Sequence, residues 1–363
     1  MSQVVYLGAM VVATATVAFL GNRAARSRRR HGQRVAVIGD LSCQVIVDGV
    51  DTVPVWGEAE EVDSSISLVA GGSAGNTGIW MHALSTKLKV RVLDTCGKGG
   101  SVFHQIVMDA MYSAGVKVVG PEFPNNWDIG QAVSLTNSEG RKAHVKYPGG
   151  NGEFALSDYK FGSIVYPGTV HVHIGGFSNC KKLNDVAAWT CFISRARKSG
   201  VKTVSLNPQL SKGLEMSPSG FDVIRKIMGL ADFLICNESE AMMLTTGVID
   251  LVAAVMQLST MCRCVVVTLG AEGALLMRQC IDLRPLRILC KDVLEVPIVD
   301  TIGVGDAFGA GFLHEVVSQN LTPEAPAIVE AVRFGCACGT AACTVLGGTT
   351  FPGIDMVRAC LID

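Results

Sequence analysis

Near its carboxyl end the chain reads Asp300-Thr301-Ile302-Gly303-Val304-Gly305-Asp306-Ala307-Phe308-Gly309-Ala310-Gly311-Phe312. Two glycines flank one residue, a carboxylate follows, and an apolar run at helical spacing begins directly after it. Glycines at a loop-to-helix junction let successive backbone N–H groups point outward together, and the start of a helix carries partial positive charge. Such a corner is suited to receiving an anion. A carboxylate beside an anion site is useful where a hydroxyl must lose a proton. The pattern therefore reads as Asp306 acting as general base, with the Gly303, Val304 and Gly305 amides holding the phosphoryl group that the hydroxyl attacks. A tight turn whose Asp merely caps the helix is the competing reading.

Four further clusters carry polar chemistry. Gly71-Gly72-Ser73-Ala74-Gly75-Asn76 leaves a β-like patch and enters a helix; its glycines allow close backbone approach, and Asn76 can both donate to and accept from hydroxyls, or simply cap the helix. Asn237-Glu238-Ser239-Glu240 follows an apolar strand, where acids serve either as capping and dipole partners or in magnesium and phosphate work. Thr268-Leu269-Gly270-Ala271-Glu272-Gly273-Ala274 ends a strand and enters a hairpin, as a ligand-facing turn or a plain one. Asn207-Pro208 is a turn with a polar side chain at a strand end.

The elements that must position these clusters follow an α/β rhythm. Arg34–Gly39, Val90–Asp94, Val170–Ile174, Val201–Leu206, Ala231–Cys236 and Cys264–Leu269 read as apolar strands. Helices are expected at Asn76–Lys87, Val102–Ala114, Asp185–Lys198, Phe221–Leu230, Glu238–Thr246 and Leu251–Thr260. Alternating strands and helices imply a parallel sheet covered on both faces. Two β patches, about 41–70 and 130–148, interrupt the rhythm and suggest a small inserted sheet acting as a lid, with a hairpin turn at Asn137-Ser138-Glu139-Gly140. In open α/β sheets ligands bind beyond the carboxyl ends of the strands, which is where every cluster falls.

Taken together, in this order and spacing, the clusters resemble the ribokinase-like (PfkB) carbohydrate kinase family over roughly residues 34 to 355. The segment Asp300–Phe308 resembles the family's second signature, with Val304 where alanine is usual. Gly71, Gly72, Ser73 and Asn76 match its substrate-binding first signature region, and Gly149-Gly150-Asn151 resembles the run that follows the ribokinase lid. The resemblance implies a three-layer α/β/α fold with a mainly parallel central sheet and a small inserted β-sheet lid. It implies ATP-dependent phosphorylation of a primary sugar hydroxyl, with magnesium and a monovalent cation such as potassium as cofactors. Under it Asp306 is the base, and Asn237, Thr268, Gly270 and Gly273 bind ATP. Glu240 with Asn237 serves magnesium, while Asp300 and the Ile302 carbonyl, with Ala342, Val345 and Gly347 as the second half, hold the monovalent cation. Gln44 and Asn151 join the sugar-binding set. The chain departs from the pattern at Gln44, where many relatives carry an Asp that grips sugar hydroxyls, and at Ser73, where ribokinases tend to carry Lys. Asp40 and Asp48 lie close enough in sequence to substitute for the missing acid. A homodimer through the lid is implied in the same way.

Composition bounds the alternatives. The chain has 363 residues, 49% of them apolar, and a formal net charge of −1. No basic face suited to nucleic acid appears beyond the N-terminal tail. The thirteen cysteines lack metal-ligand spacing and sit mostly within apolar runs, as small buried hydrophobes in a reducing compartment do. Residues 1–33 stand apart. Val4–Gly21 is uncharged and just long enough, at roughly 18 residues, to cross a bilayer. The arginines that follow it would keep the remainder on the cytoplasmic face. The same arginine-rich, acid-free stretch also suits a mitochondrial transit segment. The kinase domain is expected over 34–363, with sugar and ATP as partners, no nucleic acid, and membrane contact through residues 4–21. Rival readings are a nucleoside kinase of the same fold and a non-catalytic sugar-binding protein. A dinucleotide oxidoreductase lacks a glycine fingerprint after the first strand, and no P-loop sequence is present.

Overall fold

Arg34–Gly39 (RVAVIG) becomes β1, whose side chains alternate between two cores. Val35 and Val37 join one apolar cluster, Ala36 and Ile38 the other, and none is more than 1% exposed. A strand apolar at every position is what burial on both faces requires. In this computed structural model the described residues are 32–53, 55–96, 99–122, 126–138, 142–210, 218–289 and 298–361. The expected anchor or targeting segment, up to residue 31, and residues 139–140 of the expected lid turn lie outside them.

After β1 come β2 (Ser42–Asp48), β3 (Ser67–Gly71), α1 (Ser73–Leu84), β4 (Lys89–Leu93), α2 (Val102–Ser113), β5 (Lys117–Val119), β6 (Gly130–Thr136), β7 (Lys142–Tyr147) and the short α3 (Phe161–Ile164). The chain continues through β8 (Thr169–Gly175), α4 (Val186–Lys198), β9 (Thr203–Leu206), α5 (Pro218–Met228), β10 (Phe233–Asn237), α6 (Glu238–Leu244), α7 (Leu251–Ser259), β11 (Cys264–Thr268), β12 (Ala274–Arg278) and β13 (Leu286–Ile288). Three helices close it: α8 (Val304–Ser318), α9 (Ile328–Ala342) and α10 (Ile354–Ala359).

Nine strands form the central sheet in the order β13-β12-β11-β10-β9-β8-β1-β4-β5, with β12 alone running against the rest, so that its pairings with β11 and β13 are antiparallel and the others parallel. One face is covered by α1, α2, α8 and α9, the other by α4 to α7. The result is a three-layer α/β/α fold. β1 is flanked by β4 on one side and β8 on the other, so chain direction around the sheet reverses there and the strand ends part to leave a crevice.

β3, β2, β6 and β7 make the separate four-stranded lid. Its register sets Gln44, Ala132 and Lys146 in one row across β2, β6 and β7, and Ile46, Ser134 and His144 in the next. The opposite face carries the row Leu68, Val45, Val133 and Val145.

α1 begins three residues earlier than its sequence pattern predicts. Gly72 has φ 88°, and a Cβ there would lie 2.5 Å from the Asp40 carbonyl oxygen, so only glycine turns the chain this tightly into Ser73. The early start puts both Ser73 and Asn76 in the first helical turn, on the side facing the crevice.

Candidate active site

Gly303 caps α8 with φ 75°, and a Cβ on it would sit 2.4 Å from the Cα of Gly348. The turn therefore needs glycine, and it aims the first amides of α8 into the crevice. Asp306 is the third residue of that helix. Its side chain makes no capping bond, because Gly303 is the cap. Instead it accepts from Ser73 Oγ at 2.6 Å, Asn76 Nδ2 at 2.7 Å and Gln209 Nε2 at 3.2 Å. Three side-chain donors from two segments of the chain, the first turn of α1 and the stretch after β9, converge on one buried carboxylate. Burial is the largest influence on it and raises its pKa to about 7, helped by the nearby Asp40 charge and opposed by the donors.

Two cavities meet at the 301–305 turn. A cleft of about 660 Å³ lies under the lid and contains Asp306, Gly303, Gln44, Gly72, Ser73, Asn76, Asn151 and Asn237 on its walls. A mainly apolar pocket of about 350 Å³ lies on the other side, between Thr268, Gly270 and Gly273 of the β11–β12 turn and Phe308, Gly339 and Cys343 of the closing helices. Thr301, Val304 and Gly305 line both. A flat apolar group and a polyhydroxy compound can thus approach the same row of amides from opposite sides.

The polar cleft treats the sequence candidates unequally. Gly71 does not line it; the glycine lies against the Gln44 side chain, 2.7 Å from where a Cβ would stand. Asn151 lines the cleft, but its amide is engaged in fastening the lid. Its Oδ1 accepts from Leu41 N at 3.0 Å and Thr95 Oγ1 at 2.7 Å, and its Nδ2 donates to Leu41 O at 2.7 Å. The amide oxygens of Gln44 and Asn76 are buried without partners, an unusual state that a hydroxyl donor would relieve. Two groups were under-read in the sequence. Asp40 is buried and raised in pKa, burial outweighing the Asn179 donor, the Lys146 charge and the Ser73 amide. Gln209 adopts φ 54°, a left-handed conformation costly for its type, and that places its amide on Asp306. Their one sequence signal was position just past a strand end.

Asn237 and Glu240 form a full capping box: Asn237 N donates to Glu240 Oε2 at 2.8 Å and Glu240 N to Asn237 Oδ1 at 2.9 Å. Glu240 is buried, and burial lifts its pKa to about 7, with the Asp306 charge adding to the rise. This oxygen-only donor set, next to a second buried carboxylate, fits a magnesium ion held largely through water and phosphate oxygens. The expected monovalent site fares differently. Asp300 accepts from Lys142 Nζ at 2.6 Å and Ile302 N at 2.9 Å on one oxygen, and from Gly347 N at 2.9 Å on the other. Burial alone would raise its pKa, but the Lys142 ammonium and the two amides outweigh that and hold it low. A metal cation would have to displace an ammonium already seated there, so the residues present do not fit one.

Comparison with known proteins shows the family and the fold. A family model described as pfkB family carbohydrate kinase matches residues 33–353. Mouse (Mus musculus) ribokinase is 31% identical over 202 residues, which cover 54% of this chain and 56% of that protein, so the match spans just over half of the relative. The structure of ribokinase from Giardia lamblia aligns with TM-score 0.72 at 19% identity, over 91% of this chain and 100% of that one. Arabidopsis thaliana ribokinase complexed with ribose and ATP aligns with TM-score 0.65 at 21% identity, over 91% and 98%.

Proposed function

The chain belongs to the pfkB family of carbohydrate kinases, and on that premise we propose that it transfers the γ-phosphoryl group of ATP to a primary hydroxyl of a sugar or sugar-like alcohol bound under the lid. The observation that carries this reading is the position of Asp306, a buried carboxylate beside the amide turn shared by both cavities.

ATP places its base in the apolar pocket by Thr268, Gly270 and Gly273, and its terminal phosphate at the Gly303, Val304 and Gly305 amides. The acceptor lies against Ser73, Asn76, Gln44 and Asn151. Asp306 takes the hydroxyl proton as the oxygen attacks phosphorus. Ser73, Asn76 and Gln209 fix the carboxylate so that its free lone pair faces the acceptor. A pKa of about 7 makes it a stronger base than an ordinary carboxylate while leaving it largely ionised in mildly alkaline solution. Glu240 with Asn237 would orient a magnesium ion, which would supply neutralisation of the phosphate charge. Closure of the lid excludes water that would otherwise take the phosphoryl group. The outward apolar row Leu68, Val45, Val133 and Val145 offers a second copy of the chain a pairing surface, with Val145 69% exposed.

ADP release is the test, measured with MgATP against pentoses, hexoses, nucleosides and their phosphorylated and acidic derivatives. Acceptor-dependent release that collapses in Asp306→Asn supports the reading. Normal turnover by that variant removes the base assignment, and binding of a sugar without phosphate transfer would leave a sugar-binding protein.

A further inference from the structure

The inner face of the lid is basic. On β7 the alternation Lys142-x-His144-x-Lys146 turns three basic side chains to one side of the strand, and all three line the cleft. Lys142 is committed to Asp300 at 2.6 Å. His144 meets Ser134 Oγ through Nδ1 at 3.0 Å. Lys146 remains, and the same cleft is lined by Lys181, on the short turn Lys181–Leu183. Among the described residues neither Lys146 nor Lys181 has an acidic partner at ion-pair distance, whereas the adjacent Lys182 pairs with Glu153 at 2.7 Å.

The other charges in the cleft lie at its floor. Asp306 and Asp40 are buried there, Asp40 receiving Ser73 N and Asn179 Nδ2. In the lid row that holds Lys146, the polar neighbour beyond Ala132 is the neutral amide of Gln44, not an acid. Lys146 acts on Asp40 through its charge, but neither lysine is closed into an ion pair, so the cleft holds two ammonium groups together with its buried carboxylates. Neither free lysine lines the apolar pocket on the far side of the 301–305 turn, so they are not placed to serve the nucleotide base end. A neutral sugar would leave Lys181 without a counter-charge and Lys146 with Asp40 alone, short of an ion pair; an anion would pair with both.

We propose that the acceptor is an anionic polyol, a sugar monophosphate or a sugar carboxylate, whose anionic group is held between Lys146 and Lys181 while one of its hydroxyls meets Asp306. This rests on the kinase reading above. The hydroxyl oxygen bonds to the γ-phosphorus as the bond from that phosphorus to the β,γ-bridging oxygen breaks. The hydroxyl proton goes to Asp306, ADP leaves, and the product carries two anionic groups.

The experiment uses the full chain with MgATP and follows ADP release on matched sets of acceptors: a neutral pentose or hexose, its terminal monophosphate, and its terminal carboxylate. An anionic member should exceed its neutral counterpart in kcat/KM by tenfold or more, and whether phosphate or carboxylate leads identifies the source of the anion. Lys146→Gln and Lys181→Gln should each cut that preference about tenfold, the size of a charge-assisted hydrogen bond to an anion. The effect should appear mainly in KM, and the preference should shrink as salt rises. Calorimetric binding of the same anionic sugars to the unmodified chain and to both variants provides a second readout independent of turnover. If neutral sugars are phosphorylated as well as or better than the anions, the inference fails and the kinase reading stands. If no acceptor of any class releases ADP, the kinase reading falls and takes this inference with it.

Discussion

The two sheets of this protein use alternation in opposite senses. In the central sheet every face is inside: β1 sends Val35 and Val37 to one core and Ala36 and Ile38 to the other, and Phe233 of β10 packs edge-on against Phe312 of α8 with ring centroids 5.5 Å apart. In the lid the polar and basic positions face the cleft, while Val145 is 69% and Leu68 47% exposed on the outer side. One sheet is held by what it excludes from water. The other is shaped by what it will meet, a ligand beneath and, on the reading above, another lid outside. Stability should therefore reside in the first and selectivity in the second, with Asp306 at the seam.

Substitution at that seam should have the largest consequence. Asp306→Asn is expected to lower kcat by about 10²–10⁴, the usual contribution of a general base, with ATP binding nearly unchanged by calorimetry. In the unmodified chain kcat/KM should fall about tenfold per pH unit below about pH 7, because the base must be ionised. The linked stability has the opposite sense. A carboxylate whose folded pKa is raised binds its proton more tightly when folded, so stability is lost as pH rises from the usual carboxylate value to about 7. Thermal unfolding of Asp306→Asn across that window should show a shallower loss, the remainder belonging to Glu240, which burial raises to about 7, and to Asp40, which burial also raises. Equal slopes would mean Asp306 ionises in the folded protein as it does unfolded.

Next in size is the central core. Phe233→Ala should cost about 3–5 kcal/mol by denaturant titration, since a fully buried ring leaves a cavity between sheet and helix. Val133→Ala in the lid should cost no more than about 1 kcal/mol in the same experiment, its side chain being only partly buried. Similar costs at the two positions would erase the contrast between the sheets.

Smaller again is the tie between them. Lys142 on β7 reaches Asp300, whose other contacts are the amides of Ile302 and Gly347, so the lid is connected to the loop that carries the 303–305 turn. Because an ammonium already neutralises Asp300, exchanging potassium for sodium or choline at constant ionic strength should change the initial rate less than about twofold, well under the tenfold that one charge contact is worth. Lys142→Gln leaves a buried acid without its cation. Its rate should drop about tenfold and become stimulated by potassium. A potassium requirement in the unmodified chain would show that the lysine yields its place.

The central sheet was readable from sequence because strands buried on both faces leave continuous apolar runs, and each predicted strand appeared within a few residues of its expected bounds. Gly303 was readable because backbone geometry admits nothing else there, whereas a Cβ on Gly305 would meet open space. The start of α1 was missed by three residues, since the Gly72 turn that permits it depends on the Asp40 carbonyl opposite. Gln209 was missed because nothing local announces a glutamine with positive φ. The basic stripe of β7 escaped for a more general reason. Alternation shows that Lys142, His144 and Lys146 share a face but not which way that face points, and hydrophobic logic assigns charged positions to solvent. Only the placement of the lid over the cleft reverses that assignment. C-x-C pairs such as Cys336 and Cys338 read correctly as buried apolar positions of α9.

That reversal suggests the smallest effect on stability and the sharpest test of the outer face. Val145→Asp adds a charge where water already reaches, so unfolding at low protein concentration should shift by no more than about 0.5 kcal/mol. Its neighbours across the sheet, Val133, Val45 and Leu68, continue the apolar row, and a charge set into a matching surface on a second copy would be desolvated without a partner. If two lids pair through this row, sedimentation should show a dimer for the unmodified chain and a monomer for the variant, at nearly identical thermal stability once protein concentration is low enough to dissociate both. If the variant instead loses several kcal/mol as a monomer, the row packs within its own chain, and the lid is held in the same way as the central sheet.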